Sequence, residues 1–508
     1  MSHSVIPAPV STRDGEGTFE LTATAAVVAT GDAIPVAEYL SESLRAATVY
    51  EVPVIRWTSS ANVGGPGSEV GSAGAANIEL VLEGAHEPGG YALSVTPARV
   101  RITADAAAGL FAGVQTLRQL LPTAIEYNSP ATAPWTIAAT EIVDYPRFSY
   151  RGAMLDTSRH FYPVPEVKKY IDDLVLLKLN VLHLHLTDDQ GWRIEIPGWP
   201  RLTEHGGSTA VDGKGGWYSL DDYREIVEYA ASRFVTIVPE IDVPGHTNAA
   251  LSAYPELTCD GVAPPLYEGT DVGFSTLCIN KERVYEFMDD VIRELAAVTP
   301  GPWIHIGGDE SYKTPKDEFP VFIRRVTELV VKYGKVPMGW HEIGRCTELA
   351  PGTVGQYWGF TTPENETGNH AMSIVNQGGP LVLSPANVAY LDMKYTDDTE
   401  LGLVWAQGPT SVADSYSWEP LKVLPIAEEQ ILGLEAPIWS ETLRSIQDVE
   451  YLAFPRLAAV AELAWSPGRQ PDFFDRLGPF TERLDAAGIN FYAPSADLPT
   501  SALPAPPI

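Results

Sequence analysis

Apolar runs and amphipathic stretches alternate along the chain from about residue 145 onward. Eight runs begin apolar and end in polar or aromatic residues, which is typical of buried parallel strands; they cover 150–159, 181–189, 234–246, 303–310, 335–342, 353–359, 380–392 and 431–441. Stretches with a helical repeat of apolar positions lie between or after them, at 164–179, 220–234, 281–298, 319–334 and 449–465. Helices between the sixth and eighth runs are harder to discern. Eight β/α units in roughly 300 residues predict a (β/α)8 TIM barrel.

The chain before residue 145 has a different pattern. Short strands are predicted at 78–83 and within 91–104, and helices at 36–47 and 106–121, without a repeating unit. This mixture is typical of a small α+β domain. Proline, serine and threonine accumulate at 128–135, which indicates a boundary. The predicted fold class is therefore α/β: a smaller α+β domain over residues 1–143, followed by a (β/α)8 barrel domain over residues 144–508.

The composition narrows the classes of partner. The chain has 508 residues and a formal net charge of −32 at pH 7, which argues against nucleic acid and anionic membranes because both bind clustered positive charge. No apolar stretch is long enough to span a bilayer. The first residues show no basic region followed by an apolar run, so we expect a cytoplasmic location, with secretion left open.

In a (β/α)8 barrel the active site is built at the C-terminal ends of the strands. Residues distant in sequence should therefore surround one pocket there: Arg159, Asp188, His246, Asp309, Glu310, Trp340, Trp358, Asp392, Trp439 and Glu441. A single carboxylate at a strand end is more often a helix cap or a surface charge, and a single tryptophan more often belongs to the core. Several of both at different strand ends instead favour an enzyme acting on carbohydrate, whose rings present an apolar face and hydroxyl groups.

Asp309 and Glu310 are the strongest acid pair. Glycoside hydrolysis usually needs two carboxyl groups flanking the bond, but adjacent side chains diverge, and repulsion disfavours both being ionised. We therefore expect separate roles, with Glu310 protonated as general acid and Asp309 charged to stabilise positive charge. Trp340, Trp358 and Trp439 together would enclose a small group that carries a methyl, such as an N-acetyl group.

Metal chemistry has weaker support in the sequence. His183 and His185 lie two apart, so on a strand they face the same way, and with His246 and several acids they could form a metallohydrolase site. However, both lie inside the strand, where an interior-facing or hydrogen-bonded pair is more ordinary. Three cysteines are too few and too scattered for a zinc site, although Cys259 and Cys278 could pair across one loop. We expect no metal and no other cofactor.

At these motifs the chain resembles family 20 glycoside hydrolases, the β-N-acetylhexosaminidases, and in particular bacterial members with a small N-terminal domain. The matching stretches are "RGAMLDTSRHF", "LHLHLTDDQGWRIEI", "PEIDVPGH", "IHIGGDE", "GW" at 339–340, "QYW" at 356–358, "YLD" at 390–392 and "APIWSE" at 436–441. The resemblance covers about 145–470 and is looser in the N-terminal domain. It also implies a loop disulfide between Cys259 and Cys278, which would favour an oxidising compartment.

The resemblance implies a retaining exo-enzyme that uses the 2-acetamido group of the substrate as nucleophile, through an oxazolinium intermediate. Glu310 would be general acid and base, and Asp309 would hold the acetamido N–H. The implied substrate-binding residues are Arg159, Trp340, Trp358, Tyr390, Asp392, Trp405, Trp439 and Glu441, with Asp188 and His246 supporting Glu310. The expected partner is an oligosaccharide or glycoconjugate ending in GlcNAc or GalNAc, with no nucleic acid and no membrane; the sequence makes no prediction of oligomeric state.

Three alternatives remain at this stage. The first is a retaining glycosidase with a carboxylate nucleophile of its own. The second is a carbohydrate-binding protein without catalysis, although such a protein would be expected to have lost Glu310. The third is a metal-dependent hydrolase.

Overall fold

The computed structural model describes residues 4–56, 77–84 and 86–493, with Asn77 described by its backbone alone. The chain forms two compact units. Unit 1 comprises Met1–Ser149, Leu176–Lys178 and Ala461–Ile508, and unit 2 comprises Tyr150–Val175 and Leu179–Val460. The predicted domain boundary at 143/144 stays a prediction, and parts of both predicted domains, including 494–508, lie outside the described residues.

Unit 1 contains a seven-stranded mixed sheet in the order β1-β7-β5-β6-β4-β2-β3. Its strands are β1 (Ser11–Glu20), β2 (Ala26–Ala29), β3 (Val54–Arg56), β4 (Asn77–Leu82), β5 (Tyr91–Val95), β6 (Arg99–Ala104) and β7 (Thr136–Asp144). The first helices are α1 (Ile34–Thr48) and α2 (Ala107–Leu120). Alternating burial along β5 and β6 shows sheet faces that are covered on one side. The α+β prediction is confirmed, and the sequence pattern missed β1, β2, β3 and β7.

Unit 2 is a closed barrel of eight parallel strands. The barrel strands are β8 (Tyr150–Asp156), β9 (Val181–His185), β14 (Thr236–Glu240), β15 (Trp303–His305), β16 (Val336–Trp340), β17 (Val354–Tyr357), β18 (Leu381–Leu383) and β19 (Ile431–Ile438). They pair in chain order and close where β19 meets β8. Each of the eight predicted runs contains one of them, so the (β/α)8 prediction is confirmed. Two short hairpins follow β9, formed by β10 (Thr187–Asp188) with β11 (Gly191–Trp192) and by β12 (Thr209–Ala210) with β13 (Gly213–Lys214).

The remaining helices mostly follow the predicted spacing. They are α3 (Val164–Val175), α4 (Arg201–Glu204), α5 (Leu220–Ala231), α6 (Asn248–Ala253), α7 (Glu282–Val298), α8 (Phe319–Lys332), α9 (Thr367–Asn376), α10 (Ala386–Ala389), α11 (Val412–Ser417), α12 (Ile446–Ala453), α13 (Arg456–Trp465) and α14 (Phe473–Ala486). The single helix predicted over 449–465 is two helices, because Pro455 cannot donate a backbone hydrogen bond to continue α12. Among the described residues, no helix is both long and apolar enough to cross a membrane.

The barrel interior has an apolar layer and, toward the C-terminal strand ends, a polar one. The apolar layer consists of Tyr150, Val181, Val238, Met338, Val354 and Val382. In the polar layer His183 contacts Glu435 at 3.0 Å and Glu240 at 3.1 Å, while His185 contacts Glu240 at 2.5 Å. The two histidines are therefore the interior, hydrogen-bonded pair that the sequence favoured over metal ligands. Their contacts hold the strand ends in one register below the site.

Candidate active site

The backbone at the end of β15 is shaped to hold two acids at the mouth of the barrel. Gly307 and Gly308 have φ of 63° and 104°, values that L side chains rarely adopt. A Cβ on Gly307 would lie 1.7 Å from Asp242 Oδ1, so no other residue fits there. Glu310 and His246 also have positive φ, 43° and 53°. Left-handed backbone at non-glycine residues is costly and concentrates at functional sites, which marks both as candidates.

A pocket of about 530 Å³ opens at this end of the barrel. The residues lining it are Arg159, Val211, Asp212, His246, Thr270, Val272, Asp309, Glu310, Trp358, Tyr390, Leu403, Trp405, Trp439, Glu441 and Thr442. Of the ten strand-end residues that the sequence predicted around one pocket, seven line it, whereas Asp188, Trp340 and Asp392 are buried outside its lining. The hairpin turn at 211–212 and the loop around 270–272 form walls that the strand pattern did not predict. The volume suits one sugar ring with its substituents.

A chain of polar contacts leads from the barrel interior to Glu310. Asp188 Oδ2 lies 2.8 Å from His185 Nε2, and Asp188 Oδ1 lies 3.1 Å from His246 Nδ1. The other nitrogen of that imidazole, Nε2, lies 3.5 Å from Glu310 Oε2 and 3.8 Å from Asp309 Oδ2. The structure therefore brings Asp188 and His246, which the family resemblance implies as supports of Glu310, together with the acid pair.

Neighbouring charges determine the protonation of Asp188 and His246. Burial alone would raise the pKa of Asp188, but Arg159 and His246 hold that pKa well below its usual range. Burial alone would lower the pKa of His246, but the surrounding carboxylates raise it well above its ordinary value. The imidazole is therefore a cation facing the acid pair, supported by an ionised Asp188.

Asp309 is buried beside a second acid, Asp242, which the sequence analysis did not single out. Burial, and then repulsion between the two carboxylates, raises the pKa of Asp242 well above its usual range. The pKa of Asp309 rises to about 6, mainly because of burial, with His246 opposing that rise. Asp242 Oδ1 also accepts a hydrogen bond from the Gly308 amide at 3.1 Å. Asp309 is thus ionised at neutral pH, next to an acid that stays protonated.

Arg159 anchors another part of the wall. Its guanidinium lies 3.0 Å from Asp188 and 3.3 Å from Asp156 and stacks 4.9 Å from the centre of the Trp439 ring. Burial raises the pKa of Glu441. Burial also raises the pKa of Asp392, and repulsion from Glu441 raises it further, to about 8.

Five buried polar atoms of the site have no hydrogen-bond partner among the described residues: Arg159 Nε, His246 Nε2, Asp309 Oδ1, Asp392 Oδ1 and Glu441 Oε2. Buried polar atoms in folded proteins are nearly always hydrogen-bonded. Donors and acceptors left without a partner around a pocket suit a ligand rich in hydroxyl groups.

Aromatic rings form a continuous side of the site. Tyr390 lies 5.6 Å from Trp405 and 6.4 Å from Trp439, and Trp405 lies 6.1 Å from Trp358. Trp405 is 46% exposed, which suits its predicted place at the leaving-group side. Trp340 is fully buried and does not line the pocket; it packs 5.9 Å from Trp439 and donates to Glu240 at 2.9 Å. It supports the aromatic wall from behind.

Sequence reasoning missed some residues of the site that carried a usable signal. Glu342 follows the strand end at Trp340 and accepts a hydrogen bond from Trp358 at 3.0 Å. Like the acids that were identified, it ends one of the eight runs. Asp242 also follows a strand-like run, inside "PEIDVPGH" and four residues before His246. The loop residues Thr270 and Val272 carried no signal.

Within the part of the chain that the structure describes, four groups of side chains have the composition and spacing to hold a metal ion. Within them, His183, His185 and His305 already contact Glu240 at 3.1, 2.5 and 3.0 Å. A group at the pocket itself is formed by His246, Asp309 and Glu310. Burial lowers the pKa of that imidazole, but the surrounding carboxylates raise it well above its ordinary value, so a metal would have to displace a proton to bind there. The arrangement therefore suits proton transfer better than metal binding.

Two family models match the chain over nearly its whole length. The glycosyl hydrolase family 20 catalytic domain matches residues 148–318 and 311–468, and domain 2 of that family matches residues 2–145. The chain belongs to glycoside hydrolase family 20. The resemblance seen in the sequence motifs is thus confirmed.

Relatives within family 20 have named activities. A β-N-acetylhexosaminidase of Cellulomonas fimi is 41% identical over 408 residues, which are 79% of this chain and 80% of the relative. The family 20 β-N-acetylhexosaminidase of Streptomyces coelicolor A3(2) is 48% identical, with a TM-score of 0.91 over 98% of each chain. A variant Streptomyces plicatus β-hexosaminidase in complex with its product, GlcNAc, is 48% identical, with a TM-score of 0.90 over 98% of this chain and 97% of that one. This family 20 chain is therefore a glycoside hydrolase, a β-N-acetylhexosaminidase.

Proposed function

We propose that this hydrolase removes terminal non-reducing GlcNAc or GalNAc residues with net retention, and that the 2-acetamido group of the substrate is the nucleophile. One observation carries the proposal: Asp309 lines the same pocket as the rings of Trp358, Tyr390 and Trp439. An apolar ring-lined wall suits a methyl group, and a buried carboxylate suits an amide N–H. A 2-acetamido group meets both requirements at once.

The first step breaks the glycosidic bond without a nucleophile from the protein. The acetamido carbonyl oxygen attacks the anomeric carbon, while Glu310 protonates the departing glycosidic oxygen. Asp309 accepts the acetamido N–H and stabilises the positive charge that develops on the oxazolinium intermediate. In the second step water attacks the anomeric carbon, Glu310 takes the proton of that water, and the acetamido group is released. Two displacements give net retention.

The other residues of the site have binding roles. Arg159, Asp392 and Glu441 bind the sugar hydroxyls. Each of the three has a buried polar atom without a hydrogen-bond partner among the described residues, which supports this role. Tyr390 donates to the acetamide oxygen, Trp340 backs the acetamide wall, and Trp405 borders the leaving group. Asp188 and His246 hold Glu310 in place. The GlcNAc complex of the Streptomyces plicatus relative supports an N-acetylhexosamine as the occupant of this pocket.

Trapping and product analysis test the proposed nucleophile. An activated 2-deoxy-2-fluoro glycoside labels a carboxylate nucleophile if the protein has one, so intact-mass spectrometry should find the chain unlabelled. Proton NMR of the hydrolysis of an N-acetylglucosaminide should show the β-anomer first. A thiazoline that mimics the oxazolinium should inhibit competitively. A labelled carboxylate would favour an ordinary retaining glycosidase, and first appearance of the α-anomer would contradict retention.

A further inference from the structure

Glu342 is a half-buried acid with no role in the mechanism above. It lies in the 3-10 turn His341–Arg345 that follows β16, and its carboxylate accepts the indole N–H of Trp358 at 3.0 Å. The turn is fixed closely: a Cβ on Gly344 would lie 2.0 Å from the carbonyl oxygen of His370 on α9. The carboxyl of Glu342 is therefore held on a rigid segment, directly behind a wall of the pocket.

Trp358 needs such a support because its ring is partly exposed in the pocket. One side packs against the cluster of Ala386, Tyr390, Met393 and Ala406, and the His341 ring lies 5.4 Å away. The contact with Glu342 is the hydrogen bond that the indole nitrogen makes among the described residues. Apolar packing allows a flat ring to slide and tilt, whereas one directional hydrogen bond fixes its rotation.

We propose that Glu342 is a positioning residue for the reaction, which fixes the Trp358 ring and thereby sets how large an N-acyl group the pocket accepts. The inference rests on the proposed function, since it presumes that the wall formed by Trp358 faces the acyl group of the substrate. Glu342 itself touches neither the reacting atoms nor, by this account, the sugar.

The electrostatic surroundings of Glu342 agree with a support that carries no charge. No Lys or Arg nitrogen of the described residues lies within 4 Å of its carboxylate, and the nearby His341 is neutral because burial lowers its pKa to about 3. Burial and the neighbouring Asp309 raise the pKa of Glu342 to about 8. A neutral carboxyl still accepts the indole hydrogen bond through its carbonyl oxygen, and it adds no negative charge beside Asp309 and Glu310.

Substitutions at Glu342 distinguish the effect of its side-chain length from the effect of its ionisable group. Glu342→Gln keeps the length and an acceptor oxygen but cannot ionise. Glu342→Asp keeps the acid but withdraws it from the indole, and Glu342→Leu removes the acceptor. Glu348→Asp and Glu348→Leu are matched controls, because Glu348 lies six residues on, is 70% exposed on its side chain and binds Arg324 at the surface.

The measurement is kcat and KM for aryl 2-acylamido-2-deoxy-β-glucosides that carry acetyl, propanoyl or butanoyl groups. Glu342→Gln should keep the preference for acetyl over butanoyl within about twofold, because the hydrogen bond persists. Glu342→Asp and Glu342→Leu should reduce that preference about tenfold, as expected when a buried donor loses its acceptor. In a Trp358→Phe background, Glu342→Leu should have no further effect, and both Glu348 variants should behave like the wild type.

An unchanged acyl preference in Glu342→Asp and Glu342→Leu would overturn the inference. So would a loss of preference in Glu342→Gln equal to that in Glu342→Leu, or an equal effect of Glu342→Leu with and without Trp358→Phe. If Glu342→Leu does not fold, the comparison of Glu342→Asp with Glu342→Gln decides. Failure of the proposed function looks different, because the wild type would then cleave plain glucosides as well as the acetyl substrate.

Discussion

At the scale of single residues, acids outnumber cations in the pocket, and burial decides which acids keep a proton. Asp188 is ionised beside Arg159 and His246, whereas Asp242 is held protonated next to Asp309. The result is an ionised Asp309 at neutral pH, flanked by a cationic imidazole and a neutral acid. This distribution gives the two adjacent acids of the sequence different surroundings, as different roles require.

Substituting each acid of the pair should give a different kinetic signature. Glu310→Gln should lower kcat by about 10²- to 10⁴-fold for alkyl or sugar leaving groups, which need a proton. It should lower kcat far less for 2,4-dinitrophenyl leaving groups. Asp309→Asn should lower kcat by about 10²- to 10³-fold for both kinds of leaving group, because it removes stabilisation of the transition state.

A matched series of aryl glycosides with leaving groups of graded acidity provides the measurement. Its control is Asp317→Asn, on a loop outside the pocket-lining residues, which should change neither constant. If Glu310→Gln lowered kcat equally across the series, Glu310 would not be the general acid.

The pKa of Asp309 predicts the acid limb of the pH profile. A carboxyl whose pKa is raised loses its ionised form as pH falls through that raised value, here about 6. Since the proposed mechanism needs ionised Asp309, kcat/KM should fall below about pH 6. The measurement is kcat/KM between pH 4.5 and 8, with return to pH 7 to show that loss of activity is reversible. A profile that stays flat down to pH 4.5 would show that the ionised form is not required.

Residue by residue, the sequence predicted the site where an acid or tryptophan ended a strand-like run. It could not predict which of these side chains reach the pocket. Trp340 and Trp358 end neighbouring strands, yet Trp340 is buried against Trp439 and Trp358 lines the cavity. Trp340 is the last residue of its strand, whereas Trp358 is the first residue after its strand. The pattern of apolar positions does not show exactly where a strand ends.

At the scale of elements, the apolar runs located all eight barrel strands but overestimated their lengths. The predicted run 303–310 contains a strand of only three residues, Trp303–His305, because its C-terminal half forms the glycine turn of the site. Helix α9 was not predicted, since its amphipathic pattern is short and polar-rich, "TGNHAMSIVN". Strand ends and short helices are shaped by tertiary contacts rather than by local pattern.

The loop closed by Cys259 and Cys278 is an element with a testable role. These residues form a disulfide across a sequence separation of 19, and the loop between them supplies Thr270 and Val272 to the pocket. Its fixed position depends further on Asn248, which donates to the Pro265 carbonyl at 2.9 Å, and on Asp189, which accepts from Ser275 at 2.5 Å. The disulfide therefore closes the loop that supplies this pocket wall.

Removing the disulfide should weaken the fold and the wall together. Cys259→Ser with Cys278→Ser should lower the free energy of unfolding by about 3 kcal/mol, the usual value for a loop of this length. KM should rise as well, because Thr270 and Val272 would lose their fixed place in the pocket wall. Urea unfolding with and without dithiothreitol measures the effect, and the double variant should be insensitive to the reductant. Wild-type stability that reductant does not change would contradict a stabilising role.

At the scale of the whole molecule, the dominant feature is a net charge of −32. Many surface ion pairs are present, such as Arg325 with Glu282 and Lys332 with Asp289, but exposed pairs contribute little stability. The excess of negative charge therefore produces a net repulsion within the folded chain. The composition predicted this property directly, because net charge does not depend on the fold.

Screening should relieve this repulsion. Raising NaCl from 10 to 150 mM shortens the Debye length from about 30 to 8 Å, so Tm at pH 7.5 should rise by a few degrees. Differential scanning calorimetry with the same concentrations of sodium chloride and of choline chloride separates screening from specific ion binding. A Tm that falls with salt would show that attractive ion pairs outweigh the repulsion.

In the proposed mechanism, the acetamido group of the substrate replaces the carboxylate nucleophile that an ordinary retaining glycosidase supplies. The most direct measurement compares kcat/KM for 4-nitrophenyl β-glycosides of N-acetylglucosamine, N-acetylgalactosamine and glucose on the wild-type chain. We expect cleavage of one or both acetamido sugars and, because no protein nucleophile replaces the missing group, a kcat/KM for the glucoside lower by at least about 10⁴-fold. Comparable cleavage of the glucoside would contradict this mechanism.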